Sequence, residues 1–154
     1  MEMDFSHRAF ADLTLMELHD LLWLRNEVFV FGQKITEEPE VDGLDPQCVH
    51  IIGRLRHDGR VVATARVFMD ESPAKVGRVA VGLELQRSGV GSQLMHYVHE
   101  VIGDRDAALS AQDYLRGWYE GLGWIVDSDV YDEAGIAHVH MHRNAPISAQ
   151  RQHK

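Results

Sequence analysis

The stretch Gly77-Arg78-Val79-Ala80-Val81, followed by Gln86-Arg87-Ser88-Gly89-Val90-Gly91 and an amphipathic run from Ser92 to Ile102, decides how this chain is read. It predicts a strand, a glycine-bearing turn and a helix. Such a turn leaves several backbone N–H groups unpaired at the positive end of the helix dipole, all aimed at one spot. That spot suits a phosphate or pyrophosphate. The order is Gln-x-x-Gly-x-Gly, with no Lys or Thr to close it. It is therefore neither a nucleotide-hydrolysing P-loop nor the Gly-x-Gly-x-x-Gly of dinucleotide-binding folds. Taken alone, the hexapeptide also fits an ordinary strand-to-helix connection.

The rest of the chain sets bounds. Its 154 residues fit one domain, expected over 1–147, with a polar, frayed tail over 148–154. A hydrophobic fraction of 45% is that of a globular protein. No apolar run approaches a bilayer span, so no membrane association is expected. The start, Met1-Glu2-Met3-Asp4, is acidic where a secretory signal is basic. A single cysteine, Cys48, cannot form an internal disulfide, which favours a reducing cytoplasm. The net charge of -9 argues against nucleic acid as a partner and suits a cationic small molecule. Plain solubility also accounts for it.

Along the chain, Met3–Ala11 predicts a first strand. Thr14 with Glu17 matches a capping box, and apolar residues at helical spacing predict a helix over Leu15–Val30, ended by Gly32. The acidic, breaker-rich segment Gln33–Gln47 predicts a long surface loop. Val49–Arg56 and Arg60–Met69 predict a hairpin turning at Asp58-Gly59. Lys75–Val81 is the next strand, Val90–Ile102 the helix after the glycine turn, and Ala107–Ala111 a short strand. Gln112–Leu122 predicts a helix, and Trp124–Val126 and Ile136–His142 the last strands. Hairpins first and a strand–helix–strand unit later give an α/β (α+β) fold, a mixed, mostly antiparallel sheet with flanking helices.

The 86–91 segment resembles motif A of the GNAT acetyltransferases, Arg/Gln-x-x-Gly-x-Gly/Ala. A second segment, Leu115-Arg116-Gly117-Trp118-Tyr119-Glu120-Gly121-Leu122-Gly123-Trp124, resembles motif B of the same family, Tyr-x-x-x-Gly-Phe, with Trp124 in the Phe place. The likeness extends to the ElaA-like branch. Leu24–Val30, Glu38, Glu40–Asp45, His50–Gly53 and Tyr131–Val139 carry it, so that it covers about 13–143. Where ElaA-like proteins often read Val-Phe-Val-x-Glu-Gln, this chain has Phe31-Gly32-Gln33 and only the Gln matches.

The resemblance implies an acyl-CoA N-acyltransferase fold and an acetyl-CoA-dependent enzyme that acetylates a primary amine of a small molecule or peptide. It implies that Val79, Ala80 and Val81 pair with the pantetheine arm by strand addition, and that the Val81 N–H stabilises the oxyanion. Gln86, Arg87, Ser88, Gly89, Val90, Gly91 and Ser92 would hold the pyrophosphate. Gln112 would stand where many members carry a pantetheine-binding Asn. Tyr119 would lie near the CoA sulfur, and a phenol with its ordinary pKa near 10 can protonate a leaving thiolate.

On the acceptor side the residues are Glu38, Asp42, His50 and His138, as substrate-binding groups or as a base. Direct attack with a water relay needs no base. Arg25 in an apolar helix and Arg66 in an apolar strand need partners, which Glu38, Asp42 and Asp45 offer by pinning the loop against the sheet. His138, His140 and His142 share one strand face, but GNAT chemistry needs no metal and none is expected. Cys48 reads as a small loop residue, and Trp23, Phe29, Phe31 and Phe68 as core. Two alternatives stay open: a CoA-binding module without turnover, and an acyltransferase with another donor, such as acyl-carrier protein. A homodimer is also left open.

Overall fold

In the computed structural model, which describes residues 1–145, the helix after the glycine turn forms where the apolar spacing places it. This helix, α2 (Val90–Ile102), buries Val90, Leu94, Met95, Val98 and Ile102 as one stripe. Each such side chain contributes about 1.5–3 kcal/mol on leaving water. The stripe lies on an eight-stranded sheet: β1 (Met3–Ala9), β2 (Val49–Leu55), β3 (Val61–Phe68), β4 (Ala74–Val81), β5 (Ala107–Gln112), β6 (Ile125–Val126), β7 (Tyr131–Glu133) and β8 (Ile136–Arg143). The order is β1-β2-β3-β4-β5-β8-β6, with β7 also on β8. Every pairing is antiparallel except β4 with β5, which α2 connects. The mixed, mostly antiparallel α/β architecture expected from the sequence is the one observed. The tail expected at 148–154 lies outside the described residues. No helix among the described residues is long and apolar enough to cross a membrane.

The second helix, α1 (Leu15–Arg25), covers the opposite face. Ala80 packs with Leu24 and Val28 of that segment, while its neighbours Val79 and Val81 pack on the α2 side. The capping box is formed: the Glu17 N–H donates to Thr14 Oγ1 at 3.0 Å and the Thr14 N–H to Glu17 Oε1 at 2.9 Å. The helix does not run on to Val30 as a regular α-helix. From Asn26 to Gly32 it widens into a π-helical turn, with the Gln33 N–H reaching back to the Val28 carbonyl. That geometry rotates the following residues and overturns part of the expected aromatic core. Phe31 is 67% exposed, with the Lys34 ammonium 4.8 Å from its ring centroid. Trp23 is 61% exposed because the buried stripe of α1 is Leu21, Leu24 and Arg25, so Trp23 falls on the outer face beside His19. Phe29 and Phe68 are partly buried.

The helix expected over Gln112–Leu122 also starts later. Gln112 pairs with His138 as the last residue of β5, a single tight turn follows at Asp113–Leu115, and α3 spans Arg116–Gly121. After it, Trp124 is buried and its Nε1–H donates to His99 Nε2 of α2 at 3.0 Å. The ring must be neutral to accept that bond. Burial, followed by the charges of Arg143 and His96, pushes the His99 pKa from 6.5 down to about 4.

The acidic loop is held by ions. Arg25 donates from Nε to Glu40 Oε2 (2.8 Å) and from Nη1 to Asp45 Oδ1 (2.9 Å). Arg66 donates to Asp42 Oδ2 (2.7 Å) and Asp45 Oδ1 (3.0 Å). Arg78 donates to Glu40 Oε2 (2.7 Å) and to Asp42 Oδ2 (3.4 Å). Three arginines from α1, β3 and β4 thus meet three carboxylates from one loop. Hydrogen bonding to Arg66 holds Asp42 far below the usual carboxylate range. Burial opposes the charge of Asp45, but Arg25 and then Arg66 outweigh it and its pKa is also lowered. The pinned loop read from the sequence is present, with Glu40 taking the place expected of Glu38.

Two outcomes follow. Asp45→Ala leaves Arg25 and Arg66 buried with too little countercharge and should cost about 3–5 kcal/mol in chemical denaturation. A loss under about 1 kcal/mol would show that these pairs do not hold the loop. For His99 the unfolded chain binds the proton first, so its contribution is complete above about pH 6.5 and is lost as pH falls towards about 4. The slope is at most about 1.4 kcal/mol per pH unit, and less in so far as solvent reaches the ring. His99→Gln should flatten that slope in denaturation midpoints measured at pH 7 and pH 5.

Candidate active site

The site begins where the sheet opens. β4 carries a bulge, Arg78 and Val79 together facing Ala65, because Thr64 pairs with Ala80 but Arg66 with Gly77. Arg78 has φ 50, in the left-handed region. On its other side β4 pairs with β5 only from Ala74–Val76 to Ala107–Leu109. Beyond that the strands part. The Gly82 N–H donates to Val62 on β3, so by antiparallel alternation the Val81 N–H and C=O point away from β3, into the opening. The Val81 carbonyl accepts from Gln86 Nε2 at 3.2 Å. Ala80 has its side chain buried against α1 and its backbone directed to β3.

A cavity of about 530 Å³ runs from the opening to the start of α2, lined by Val79, Val81, Gln86, Arg87, Gly89, Gly91 and Ser92. Helix geometry leaves the amides of Val90, Gly91 and Ser92 without an intrahelical acceptor. Gly89 precedes them at φ 91, and a Cβ there would project into open space. Gly91 is tight in another way: a Cβ would stand 3.3 Å from the Trp118 ring. Ser88 spends its hydroxyl on the Leu85 carbonyl, and Val90 is core. Both therefore offer main chain only.

A second cavity, about 440 Å³, lies between the opened strands, the 33–47 loop and the β7–β8 hairpin. The two cavities share Gln33, Val79, Leu115 and Tyr119. Tyr119 is 5% exposed. Burial, then Tyr114, raises its pKa well above the usual value, so the phenol holds its proton at neutral pH.

Of the expected acceptor-side residues, Glu38 and His138 line this second cavity. Asp42 and His50 do not. Asp42 is taken up by Arg66, Arg78 and the Leu44 N–H. His50 is buried, with Nε2 donating to the Asp45 carbonyl at 2.9 Å. Both hold the loop rather than face the cavity. Gln112 lines the second cavity, and its amide exchanges two hydrogen bonds with Gln33, at 2.8 and 3.2 Å.

His138 Nδ1 is 2.7 Å from the Ile136 carbonyl and Nε2 is 3.4 Å from Glu133 Oε2. His140 and His142 instead share the carboxylate of Asp127. Among the described residues no group of three or more His, Cys, Asp or Glu side chains is placed to hold a metal ion. Cys48 lies outside both cavities, and burial pushes its thiol pKa up to about 11.

Sequence reasoning missed Arg78, Gln33, Trp118 and Glu133. Arg78 left a signal. The loop's acids outnumber Arg25 and Arg66, so a third cation was owed. Gln33, Trp118 and Glu133 lie in stretches that carry the family likeness, and Glu133 stands only five residues before its partner His138, but the contacts of Gln33 with Gln112 and of Trp118 with Gly91 join residues far apart in the chain.

Residues 50–145 match the acetyltransferase (GNAT) domain family. A UPF0039 protein of Schizosaccharomyces pombe is 34% identical over 145 residues, covering 90% of this chain and 95% of its own. Among solved structures, Escherichia coli ElaA superposes with a TM-score of 0.83 at 31% identity, over 93% of this chain and 100% of that one. An acyl-CoA N-acyltransferase from Pseudomonas aeruginosa gives 0.82 at 35% identity, over 92% and 99%. With its opened β4–β5 pair, its glycine turn at the start of α2 and these relatives, the chain belongs to the ElaA-like branch of the GNAT acetyltransferases and is an acyltransferase.

Proposed function

We propose that the protein is an N-acetyltransferase that takes its acetyl group from acetyl-CoA and delivers it to a primary amine of a small molecule or peptide by direct attack. The observation that carries this reading is the meeting of two cavities at Val79 and Tyr119. One suits the donor, the other the acceptor, and the reaction needs both at one point.

The residues present fit coenzyme A. The open edge of β4 at Val79 and Val81 offers backbone groups to an amide-bearing arm. The amides of Gly89–Ser92, the open space at Gly89 and the cation of Arg87 suit a pyrophosphate. Gln86 closes the end of the strand and contributes its backbone. Bound there, acetyl-CoA supplies an activated carbonyl and a sulfur leaving group.

The chain's own part is positioning and proton control. The Val81 N–H, aimed into the opening, stabilises negative charge on the carbonyl oxygen. Tyr119, kept protonated by burial, donates to the departing sulfur. Gln112 and Gln33 act as a pair at the junction, not as the single contact expected of Gln112. Glu38 and Glu71 line the acceptor cavity with no ion-pair partner among the described residues, which favours a cationic acceptor over a nucleic acid. The reading places the reaction in the cytoplasm, where acetyl-CoA is available to it.

Tyr119→Phe should lower kcat by about 10²-fold with acetyl-CoA affinity unchanged in calorimetry. Unchanged turnover, followed by thiol release, would remove Tyr119 from the mechanism. Gly89→Val places a β-branched residue at φ 91 and should abolish acetyl-CoA binding. Wild-type affinity in that variant would rule out the phosphate cradle. Tight CoA binding by the wild type with no thiol release over a panel of amines would leave only a binding module.

A further inference from the structure

We infer that His138 is the proton acceptor for the incoming amine, and that Glu133 positions and stabilises its protonated form. The inference rests on the amine acetylation proposed above and deepens it by assigning the base.

The ring is fixed on one tautomer. Nδ1 lies 2.7 Å from the Ile136 carbonyl, and a carbonyl can only accept, so Nδ1 carries the hydrogen. In the neutral ring Nε2 is then a bare lone pair. It lies 3.4 Å from Glu133 Oε2, which is also an acceptor. In that state two acceptors face each other in a cavity wall and repel, unless a donor bridges them or Nε2 takes up a proton. An ammonium or amine N–H is such a donor, and it satisfies both.

The surroundings hold this arrangement. Tyr131 of β7 stacks on the ring with centroids 6.2 Å apart, and His138 is 6% exposed while Glu133 stays open to solvent. Ser110 of β5 hydrogen-bonds the Tyr131 hydroxyl and lies 3.4 Å from Glu133 Oε2. Gln112 of β5, opposite His138 in register, is occupied by Gln33. From the other walls, Glu38 adds negative charge, Lys75 makes no ion pair among the described residues, and Arg78 is taken up by Glu40 and Asp42. No described cation pairs with Glu133 except His138 itself. A proton arriving on Nε2 therefore meets a carboxylate that no other described cation neutralises.

The balance closes. The N–C bond forms as the C–S bond breaks, and the pair from that bond leaves on sulfur. His138 Nε2 takes one proton from the entering ammonium, the second nitrogen proton leaves to solvent once the N–C bond has formed, and sulfur takes a proton from Tyr119. Exchange with solvent then returns a proton to Tyr119 and removes one from His138.

The test offers acetyl-CoA with benzylamine, cadaverine or glycylglycine, and with O-methylhydroxylamine, a nucleophile already neutral at pH 7. His138→Gln should lower kcat/KM for the basic amines by about 10²–10⁴-fold, leave an acidic limb set by the amine's own ionisation alone and keep acetyl-CoA affinity unchanged. O-Methylhydroxylamine should lose much less. Glu133→Gln removes the charge that favours imidazolium, so the acidic limb should move to lower pH, with a smaller loss of rate. This second variant decides the matter should His138→Gln fail to fold. A His138→Gln enzyme with wild-type kcat/KM, an unchanged limb in Glu133→Gln, or equal losses for all acceptors would overturn the base assignment alone. Absence of thiol release by the wild type with every acceptor would overturn the acetyl-transfer reading, and this inference with it.

Discussion

The parting of β4 from β5 after Val76 is the constraint on which the remainder rests. A parallel pair that continued would satisfy the backbone groups of Val79 and Val81 internally and leave nothing for a ligand. The bulge turns β4 at that point, and it is made with Arg78, not glycine, at positive φ. A non-glycine residue in that region costs roughly 1–2 kcal/mol. Arg78 offsets it with charged hydrogen bonds to Glu40 and Asp42. The backbone irregularity of β4 is thus held by the loop that walls the second cavity.

That link gives the buried ions a role beyond stability. A buried charge network is often no more stable than an apolar core of the same volume. What it supplies here is registration. Arg25 comes from α1, Arg66 from β3 and Arg78 from β4, and all converge on residues 40–45. An apolar loop could slide over the same surface, whereas bidentate pairs between guanidinium and carboxylate fix both distance and plane. The two cavities are therefore aligned by one cluster, and His50 reinforces it through the Asp45 carbonyl.

The periodic parts of this fold were legible in the sequence, and the parts made by long-range partners were not. α2 was readable because its five buried residues recur at helical spacing, and the β2–β3 hairpin because Asp58-Gly59 interrupts two apolar runs. The π turn after Arg25 was not readable, since Asn26–Gly32 keeps an apolar pattern that a regular helix also allows. Trp23 and Phe31 misled for the same reason. Arg25 and Arg66 stood out as cations in apolar settings, but which loop acid met which arginine depends on the loop's path. Asp42, an acid in a surface loop, and His50, at the start of a strand, read in the sequence as acceptor-side groups, whereas the folded chain spends both on the loop. The sequence reads as a helix from Gln112 to Leu122, yet the backbone of Gln112 is claimed by β8.

The same geometry bears on whether the acyl group is carried directly or through the protein. A covalent route needs a nucleophile with a base beside it. Cys48 is outside both cavities and its thiol is pushed up to about 11 by burial, so little thiolate exists at neutral pH. Ser110 does line the acceptor cavity, but its hydroxyl is engaged with Tyr131 and Glu133, and the carboxylate, not the hydroxyl, faces His138 Nε2. Nε2 is thereby set against a carboxylate and not against a side-chain hydroxyl that it could activate. Tyr119 stands at the junction with its proton retained. On the proposed reading, His138 accepts a proton on one side and Tyr119 donates one on the other, and the described cavity residues place no activated nucleophile between them, which is what direct attack by an amine requires.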